Sequence, residues 1–157
     1  LTKLLNRRGL ENRLKDIFKS NNSNGVLIIF DLDNFKSVND ILGHPIGDEV
    51  LKIFSRCLTN SFRENDIISR IGGDEFVVFI NKNMELDTLS KKLDGLLNNI
   101  RSDLNYYYKN YGLSTSIGVA YRDNHINTYE ELYEEADKGL YKAKNLGKDG
   151  FYINNKK

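Results

Sequence analysis

The sequence predicts an α+β domain in which helices flank a mixed central β-sheet. Three observations lead to this class: an apolar run of strand length at Val26 to Phe30, two apolar segments (Ile67 to Ile71 and Phe76 to Ile80) joined through a glycine pair, and helical periodicity between them. A hairpin of adjacent strands excludes a purely parallel, doubly wound sheet. Helices on one mixed sheet give an α+β sandwich that is ferredoxin-like in outline.

In the first half of the chain, apolar residues at helical spacing predict a helix from Leu10 to Phe18, which the turn residues Asn21 to Gly25 close. Val26 to Phe30 is continuously apolar, which is typical of a strand buried on both faces. A stripe from Ile46 to Leu58 then predicts an amphipathic helix, with Pro45 just before it.

After the hairpin, the second half of the chain alternates helix and strand. Leucines and isoleucines from Leu86 to Leu104 predict a long helix, and Ser114 to Tyr121 has the composition of a strand with small residues. A stripe from Leu132 to Ala143 predicts the last helix, and Phe151 to Ile153 predicts a short edge strand. The predicted order is therefore helix, strand, helix, strand, strand, helix, strand, helix, strand.

The tip of the predicted hairpin carries Gly72, Gly73, Asp74 and Glu75. The glycines allow a tight reversal with positive φ, and the two acids then face solvent and ligands. A hairpin turn needs a glycine and one Asp or Asn, so two adjacent acids exceed what the turn requires.

A second acidic pair ends the first strand. Alternation along the strand places Asp31 and Asp33 on one side and Leu32 on the other. Carboxylates at a strand end near two more on a hairpin predict a hard-cation site, because Mg²⁺ takes one or two carboxylates and adds water and substrate phosphate. The alternative is that Asp31 and Asp33 simply begin a loop.

These residues, with further segments, resemble the GGDEF family, the diguanylate cyclases. The matching blocks are Gly72–Phe76 for the signature, Leu1–Arg8 for LTxLxNRR, Phe30–Lys36 with Asn39–Asp40 for DxDxFKxxND, Gly43–Asp48 for GHxxGD, Ser116–Ala120 for SIGVA and Ala136–Lys144 for ADxALYxAK. The blocks occur in order and cover nearly the whole chain. The resemblance implies a single GGDEF domain over residues 1–157, with the palm-like fold of nucleotidyl cyclases, excised from a longer sensory protein.

The activity that this resemblance implies is condensation of two GTP to cyclic di-GMP and pyrophosphate, by metal-assisted attack of a 3′-hydroxyl on an α-phosphate. Two chains, each with one GTP, are expected to face each other as a homodimer. One alternative is a catalytically silent domain that binds GTP or cyclic di-GMP as a sensor, although silent relatives usually lack the signature acids or glycines. Another is a cyclase with relaxed base choice.

The resemblance also assigns roles near the acids. It gives Asp31, the Leu32 carbonyl and Asp74 to Mg²⁺ or Mn²⁺, and it makes Asp31, Asp74 and Glu75 the catalytic acids. Glu75 is expected to assist the metal or the proton transfer. Asp33 either joins the metal site or, as an equal alternative, holds the residues around that site or caps the following segment.

Substrate binding involves a larger set. Groups expected near the phosphates are the amides of Asn34 and Phe35, the lysines Lys36, Lys144 and Lys148, and the glycines Gly72 and Gly73. Asn39 and Asp48 are expected to read guanine. From the residues alone, Lys144 and Lys148 are charges suited to a helix C-terminus, and Asp48 is an acid suited to a first helical turn. Lys148 stands where many family members have Arg, so it keeps the charge and loses the bidentate fork.

Arg63 and Asp66 form an RxxD pattern ahead of the hairpin. The pattern resembles the family's inhibitory site, where cyclic di-GMP binds away from the catalytic centre. The alternative is a surface ion pair. Arg70 either helps that site or holds the hairpin acids.

Composition limits the remaining classes. The 157 residues, 39% hydrophobic and 29% charged, fit one globular domain, and a net charge of +1 gives no support to a nucleic-acid partner. The single cysteine, Cys57, excludes an internal disulfide and suits a reducing cytoplasm. No apolar run approaches the roughly 20 residues of a membrane span. We expect a cytoplasmic domain, either free or on the cytoplasmic side of a membrane sensor, with an upstream sensory or membrane domain as its partner.

Overall fold

The computed structural model describes residues 3–20 and 23–155. Its helices are α1 (Arg7–Phe18), α2 (Phe35–Leu42), α3 (His44–Ser61), α4 (Leu86–Asp103), α5 (Asn105–Tyr111) and α6 (Tyr129–Asn145), and its strands are β1 (Val26–Asp33), β2 (Ile67–Arg70), β3 (Glu75–Ile80), β4 (Ser114–Tyr121) and β5 (Gly150–Ile153). Leu1 and Thr2 of the opening motif, and Asn21 of the turn predicted to close the first helix, lie outside the described residues.

The strands form one mixed sheet in the order β2-β3-β1-β4-β5. The central strand β1 pairs antiparallel with β3 and β4, and β2 pairs antiparallel with β3. The edge strand β5 runs parallel to β4, which requires the crossover that α6 provides. The predicted hairpin, central buried strand and C-terminal edge strand are therefore confirmed.

Alternation along β1 divides the core between the two faces of the sheet. Val26, Ile28 and Phe30 point toward α2, α3 and α4, and their cluster includes Phe54 and Leu93. The opposite face is covered by α1 and α6, whose buried residues pack on the second set of sheet residues: Leu10, Leu14, Leu27, Ile29, Val77, Phe79, Leu132, Ala136 and Leu140. Because β1 is covered on both faces, its run of apolar residues needs no polar alternation.

Two helices were not predicted. Helix α2 begins directly after β1 and buries only Phe35 and Val38, so its apolar stripe is too short to stand out from a turn. Helix α5 consists of Asn, Tyr and Lys and buries no residue. Such short helices form through tertiary context and not through a strong periodic signal.

The prediction of positive φ at Gly72 and Gly73 is wrong. Glycines with positive φ are found elsewhere, at Gly25, Gly43, Gly112 and Gly147. The reversal between β2 and β3 is spread over a longer loop, in which the amides of Ile71 and Gly72 both donate to the Glu75 carbonyl, at 3.0 and 3.3 Å. A loop of this length turns without a left-handed residue at the glycine pair.

At two glycines, the backbone of helix α6 approaches the backbone of the sheet with no side chain between them. A Cβ atom added to Gly118 of β4 would lie 2.8 Å from Leu140 Cα, and closer still to the Ala136 carbonyl oxygen. A Cβ atom added to Gly139 of α6 would lie 2.8 Å from the Tyr152 carbonyl oxygen of β5. These two glycines therefore set the distance and lateral position of α6 over β4 and β5.

Cys57 lies buried in α3, where its thiol donates a hydrogen bond to Asp103 Oδ2 at 3.2 Å. Burial and then this hydrogen bond raise the pKa of the thiol to about 12. The residue is therefore a protonated core side chain at neutral pH.

None of the helices within residues 3–20 and 23–155 is both long enough and apolar enough to cross a bilayer.

We predict that Gly118→Ala lowers the free energy of unfolding by about 3 kcal/mol or more, because the added methyl group meets backbone atoms that cannot move aside. Gly95→Ala is the matched control: Gly95 is exposed inside α4, nothing lies within 4 Å of an added Cβ, and the change should stabilise by about 0.5–1 kcal/mol. Urea denaturation measures both, and equal effects would contradict the close approach of α6.

Candidate active site

The ends of β1 and β3 bring the predicted acids together. Asp31 and Glu75 are register partners across the antiparallel pair β1–β3. The amide of Leu32 donates to the Asp74 carbonyl oxygen at 3.1 Å, so the residue before β3 is tied to the same strand end. Asp31, Asp74 and Glu75 are all partly exposed. The structure thus gathers side chains that are far apart in sequence, as the sequence analysis predicted.

Lys144, in the last turn of α6, forms an ion pair with Oδ2 of Asp31. Burial acts to lower the pKa of Lys144, but the hydrogen bond and charge of Asp31 outweigh it, so the pKa is raised. The lysine is therefore a firmly charged ammonium group beside the acids. Lys144 was expected near the substrate phosphates, and the structure places it beside Asp31.

The environment of Asp74 and Glu75 disfavours their negative charge. Burial raises the pKa of Asp74, and the nearby charge of Asp31 raises it further. Burial also raises the pKa of Glu75, although a hydrogen bond from Tyr133 works in the opposite direction. The pKa values of both acids are therefore raised, because carboxylates lie close together where solvent exposure is low.

Tyr133 of α6 is a site contact that the sequence analysis missed. Its hydroxyl donates a hydrogen bond to Oε1 of Glu75. Burial, followed by this bond, raises the pKa of the phenol, so it remains a donor. A tyrosine on an amphipathic helix is an ordinary core residue by pattern, so no local signal marks it.

Asp33 is buried and does not join the partly exposed acids. Its carboxylate accepts hydrogen bonds from the hydroxyls of Ser114 and Ser116, each at 2.8 Å, and from the Asp149 amide at 3.2 Å. All three donors come from β4 and the segment that leads into β5. These contacts favour the outer, structural alternative for Asp33.

Asp149 in turn organises the segment that carries Lys148. Its carboxylate accepts from Arg101 Nε at 3.0 Å and from the Tyr108 hydroxyl at 3.0 Å. Lys148 and Asp149 both have positive φ, 63° and 49°, which is strained for residues with a Cβ. Hydrogen bonds to α4, α5 and Asp33 hold this backbone, and Lys148 remains exposed.

The N-terminus of α2 follows Asp33 directly. Asn34 adopts a left-handed conformation (φ 63°), and its side-chain amide donates to the Gly112 carbonyl at 2.9 Å. Phe35 is buried, whereas Lys36 is exposed on the first turn. The first amides of a helix lack intrahelical acceptors, and a left-handed residue followed by a right-handed one forms an anion-binding nest.

Asn39 of α2 packs against the start of α3. A Cβ atom on Gly47 would overlap the Asn39 carboxamide, so the two helices touch at this point. Oδ1 of Asn39 is buried and has no hydrogen-bond partner among the described residues. Asp48, the next residue after Gly47, is exposed. The structure therefore brings Asn39 and Asp48 to one place, with an acceptor still free.

The space above the hairpin tip is open. Nothing lies within 4 Å of a Cβ atom added to Gly73, and for Gly72 the nearest atom is Glu75 Cβ, at 3.5 Å. Arg70 donates from Nη2 to the Gly73 carbonyl at 2.8 Å, so it holds the hairpin tip. The glycines leave this side of the tip accessible to a ligand.

Arg63 and Asp66 lie apart from the acids, where α3 leads into β2. The backbone amide of Arg63 donates a hydrogen bond to Asp66 Oδ2 at 2.8 Å. The Arg63 side chain itself is exposed. Both residues line a groove of about 510 Å³ that also contains Lys3 and Arg13. The groove carries three cationic side chains, Arg63, Lys3 and Arg13, and two acids, Glu64 and Asp66, a formal excess of one positive charge.

The donor set at the strand ends is small. No three His, Cys, Asp or Glu side chains within the described ranges converge on a metal position. Mg²⁺ does not require three, because one or two carboxylates with a carbonyl, water and phosphate oxygens complete its shell. Asp31 and Asp74, with the Leu32 carbonyl, are the residues that fit it.

A five-stranded mixed sheet with these helices, and with acids at neighbouring strand ends, defines the palm-like class of nucleotidyl cyclases. Comparison with known proteins agrees. The family model described as "Diguanylate cyclase, GGDEF domain" matches residues 1–150, and the chain belongs to this family.

Individual relatives are similar over most of the chain. It is 40% identical over 129 residues to the diguanylate cyclase DgcS of Shewanella oneidensis, covering 81% of this chain and 41% of that protein. It is 28% identical to the GGDEF domain of YfiN, also called TpbB, from Pseudomonas aeruginosa, with a TM-score of 0.80 and 100% of both chains covered. The active GGEEF domain of a diguanylate cyclase from Vibrio cholerae is 26% identical, with a TM-score of 0.81, covering 99% of this chain and 100% of that one. The chain thus spans less than half the length of DgcS.

We predict that Asp74→Asn stabilises the protein in the absence of metal, and more at pH 7 than at pH 4.5. A carboxyl group whose pKa is raised on folding contributes stability below its unfolded pKa and loses it as pH rises through the folded value. At pH 7 the charge of Asp74 is therefore unfavourable, and an amide removes it.

Urea denaturation at the two pH values measures this effect. Asp94→Asn, on the exposed face of α4, is the control and should change stability by less than about 0.5 kcal/mol at either pH. If Asp74→Asn matches the parent protein at pH 7, the inferred penalty on the Asp74 charge, from burial first and then from Asp31, is wrong.

Proposed function

We propose that this domain is a diguanylate cyclase that condenses two GTP into cyclic di-GMP and releases pyrophosphate. The observation that carries the proposal is the meeting of Asp31, Asp74 and Glu75 at neighbouring strand ends in a member of the diguanylate cyclase GGDEF family. The name of the relative DgcS supports it. A catalytically silent sensor is not favoured, because the signature glycines and acids are all present.

Mg²⁺ or Mn²⁺ fits the acids of this site. Asp31, Asp74 and the Leu32 carbonyl would hold the cation, since the two carboxylates come from neighbouring strand ends and Mg²⁺ takes one or two carboxylates with other oxygen ligands. Bound there, the cation supplies charge neutralisation for the phosphates and for the attacking and leaving oxygens.

The triphosphate fits between the α2 N-terminus and the hairpin tip. The amides of Asn34 and Phe35 lie in a nest beside Lys36, and nests of this kind bind anions. The open face at Gly73 lets a phosphate approach the backbone. Lys144 and Lys148 supply positive charge from the other side, Lys144 at Asp31 and Lys148 on the exposed turn after α6.

Guanine is read by Asn39 and Asp48. The exposed carboxylate of Asp48 is an acceptor, and guanine presents N1 and N2 hydrogens as donors, while the carboxamide of Asn39 lies against the neighbouring Gly47. Adenine offers no donor at N1, so this pair favours guanine over adenine.

The reaction requires two chains. Each holds one GTP, and the 3′-hydroxyl of one nucleotide attacks the α-phosphorus of the other in line, so the two sites face each other in a homodimer. Glu75, whose pKa burial raises, lies next to Asp74 and assists the cation or accepts the hydroxyl proton.

We predict that the purified domain converts GTP to cyclic di-GMP with Mg²⁺ or Mn²⁺, and that its rate rises faster than linearly with protein concentration. Asp74→Ala should lower turnover by about 10³-fold or more, since it removes charge stabilisation at the reacting phosphate. Chromatography with mass analysis of the nucleotides measures both, with Asp94→Ala as an active control. Absence of cyclic di-GMP from the parent protein at high concentration would refute the function.

We also propose that cyclic di-GMP inhibits the enzyme by binding in the groove of Arg63 and Asp66. The exposed Arg63 guanidinium can stack on guanine and bond phosphate, and Lys3 and Arg13 add charge in the same groove. The groove lies away from Asp31 and Asp74, so product bound there would act at a distance from the reacting atoms.

Arg63→Ala should leave basal turnover intact and raise the cyclic di-GMP concentration needed for half-inhibition by about tenfold or more, because it removes charge-assisted hydrogen bonds. Arg56→Ala, exposed on α3 outside the groove, should leave inhibition unchanged. Equal inhibition of the Arg63 variant and the parent protein would rule out the groove.

We place this domain in a longer signalling protein whose sensory or membrane segment controls dimerisation, with the domain on the cytoplasmic side. The coverage of DgcS, 41% of its length, supports the first point. A lone buried thiol and a nucleotide substrate support the second.

A further inference from the structure

One helix contacts both of the acids that face each other across β1 and β3. Lys144 of α6 pairs with Asp31, and Tyr133 of α6 donates to Glu75, while Asp31 and Glu75 are register partners. Tyr133 and Lys144 are about three helical turns apart, so they project from the same face of α6. The role of Lys144 at the phosphates is part of the proposed function, whereas that function leaves Tyr133 without a role.

The Tyr133 ring is well placed to fix the direction of Glu75. It is half-buried and packs against the ring of Tyr129, with 5.8 Å between centroids and 57° between planes. Hydrogen bonds from a hydroxyl to a carboxylate are charge-assisted and among the stronger ones in proteins. A rigid aromatic donor on a tightly packed helix therefore restricts the rotamers of the glutamate.

Glu75 has few other restraints. Within the described part of the chain, Tyr133 is the one side chain that donates a hydrogen bond to its carboxylate. A carboxylate has about four acceptor positions, so the bond to Oε1 leaves Oε2 and further lone pairs for another partner. Because β3 holds Glu75 opposite Asp31, a cation held by Asp31 and Asp74 is a candidate for these positions.

We propose that Tyr133 is a positioning residue, whose hydroxyl holds Oε1 of Glu75 so that the rest of the carboxylate faces the divalent cation held by Asp31 and Asp74. This inference rests on the proposed cyclase site and adds to it a residue that acts through Glu75. Outer groups that orient metal-site carboxylates typically change metal affinity or activity by about 10–100-fold when removed.

The test removes one hydroxyl. In Tyr133→Phe we expect Mn²⁺ affinity, measured by electron paramagnetic resonance with a non-hydrolysable GTP analogue present, to fall about tenfold. We expect kcat to fall by a similar factor while KM for GTP changes less than about twofold, since the nucleotide contacts remain. Tyr129→Phe is the matched control: it removes a neighbouring buried hydroxyl that has no hydrogen-bond partner among the described residues, and it should change neither quantity.

Glu75→Ala tests the same bond from the other side, because it removes the acceptor. If Tyr133 acts through Glu75, adding Tyr133→Phe to the Glu75→Ala variant causes no further loss of Mn²⁺ affinity. The inference is overturned if Tyr133→Phe binds Mn²⁺ as tightly as the parent protein does. It is also overturned if Tyr133→Phe lowers Mn²⁺ affinity equally in the parent protein and in the Glu75 variant. Thermal melting verifies that each variant is folded.

The two proposals fail in different ways. If the parent protein binds Mn²⁺ with the dependence on Tyr133 described above but makes no cyclic di-GMP, the positioning role stands and the cyclase function is wrong. If the parent protein makes cyclic di-GMP and Tyr133→Phe equals it in both readouts, the function stands and the positioning role is wrong.

Discussion

The close approach of α6 to the sheet is the constraint on which the site depends. Gly118 and Gly139 bring the helix backbone against β4 and β5, and any side chain at these positions would push it outward. Lys144 and Tyr133 reach Asp31 and Glu75 from this helix. The geometry of the acids therefore depends on two residues that carry no chemistry.

A second principle is the separation of two kinds of acid at the end of β1. Asp33 is buried and fully engaged by Ser114, Ser116 and the Asp149 amide, so it is structural and links β1 to β4 and the turn before β5. Asp31, two residues earlier on the same side, stays partly exposed and close to Asp74 and Glu75, at a cost in repulsion. Natural sites commonly retain such unfavourable charges where function requires them.

Much of the fold follows from the sequence because the long elements have strong signals. The strand β1 was predicted from an unbroken apolar run, which burial on two faces requires, and the helix α4 from a leucine stripe with helical period, which burial on one face requires. Helices α2 and α5 have no such period. Positive φ was predicted at Gly72 and Gly73 and is absent; what these glycines provide is open space beside the hairpin tip.

For the site, the strand-end acids could be predicted because alternation and strand ends are local rules. The contacts that organise them could not: Tyr133 meets Glu75, and Arg101 meets Asp149, across long sequence separations that only packing determines. The expectation that Asn39 and Asp48 read guanine came from the motif resemblance. The physical reason for their pairing, the contact of α2 with α3 at Gly47, appears only in three dimensions.

The burial of Cys57 has a practical consequence for testing the proposed homodimer. With a thiol pKa of about 12 and little solvent access, the native cysteine should remain unreactive toward maleimide and spin-label reagents at neutral pH. A cysteine introduced at an exposed position would therefore carry a label alone, without prior removal of the native one. The distance between labels on two chains can then be measured while the native core, with Cys57, stays unchanged.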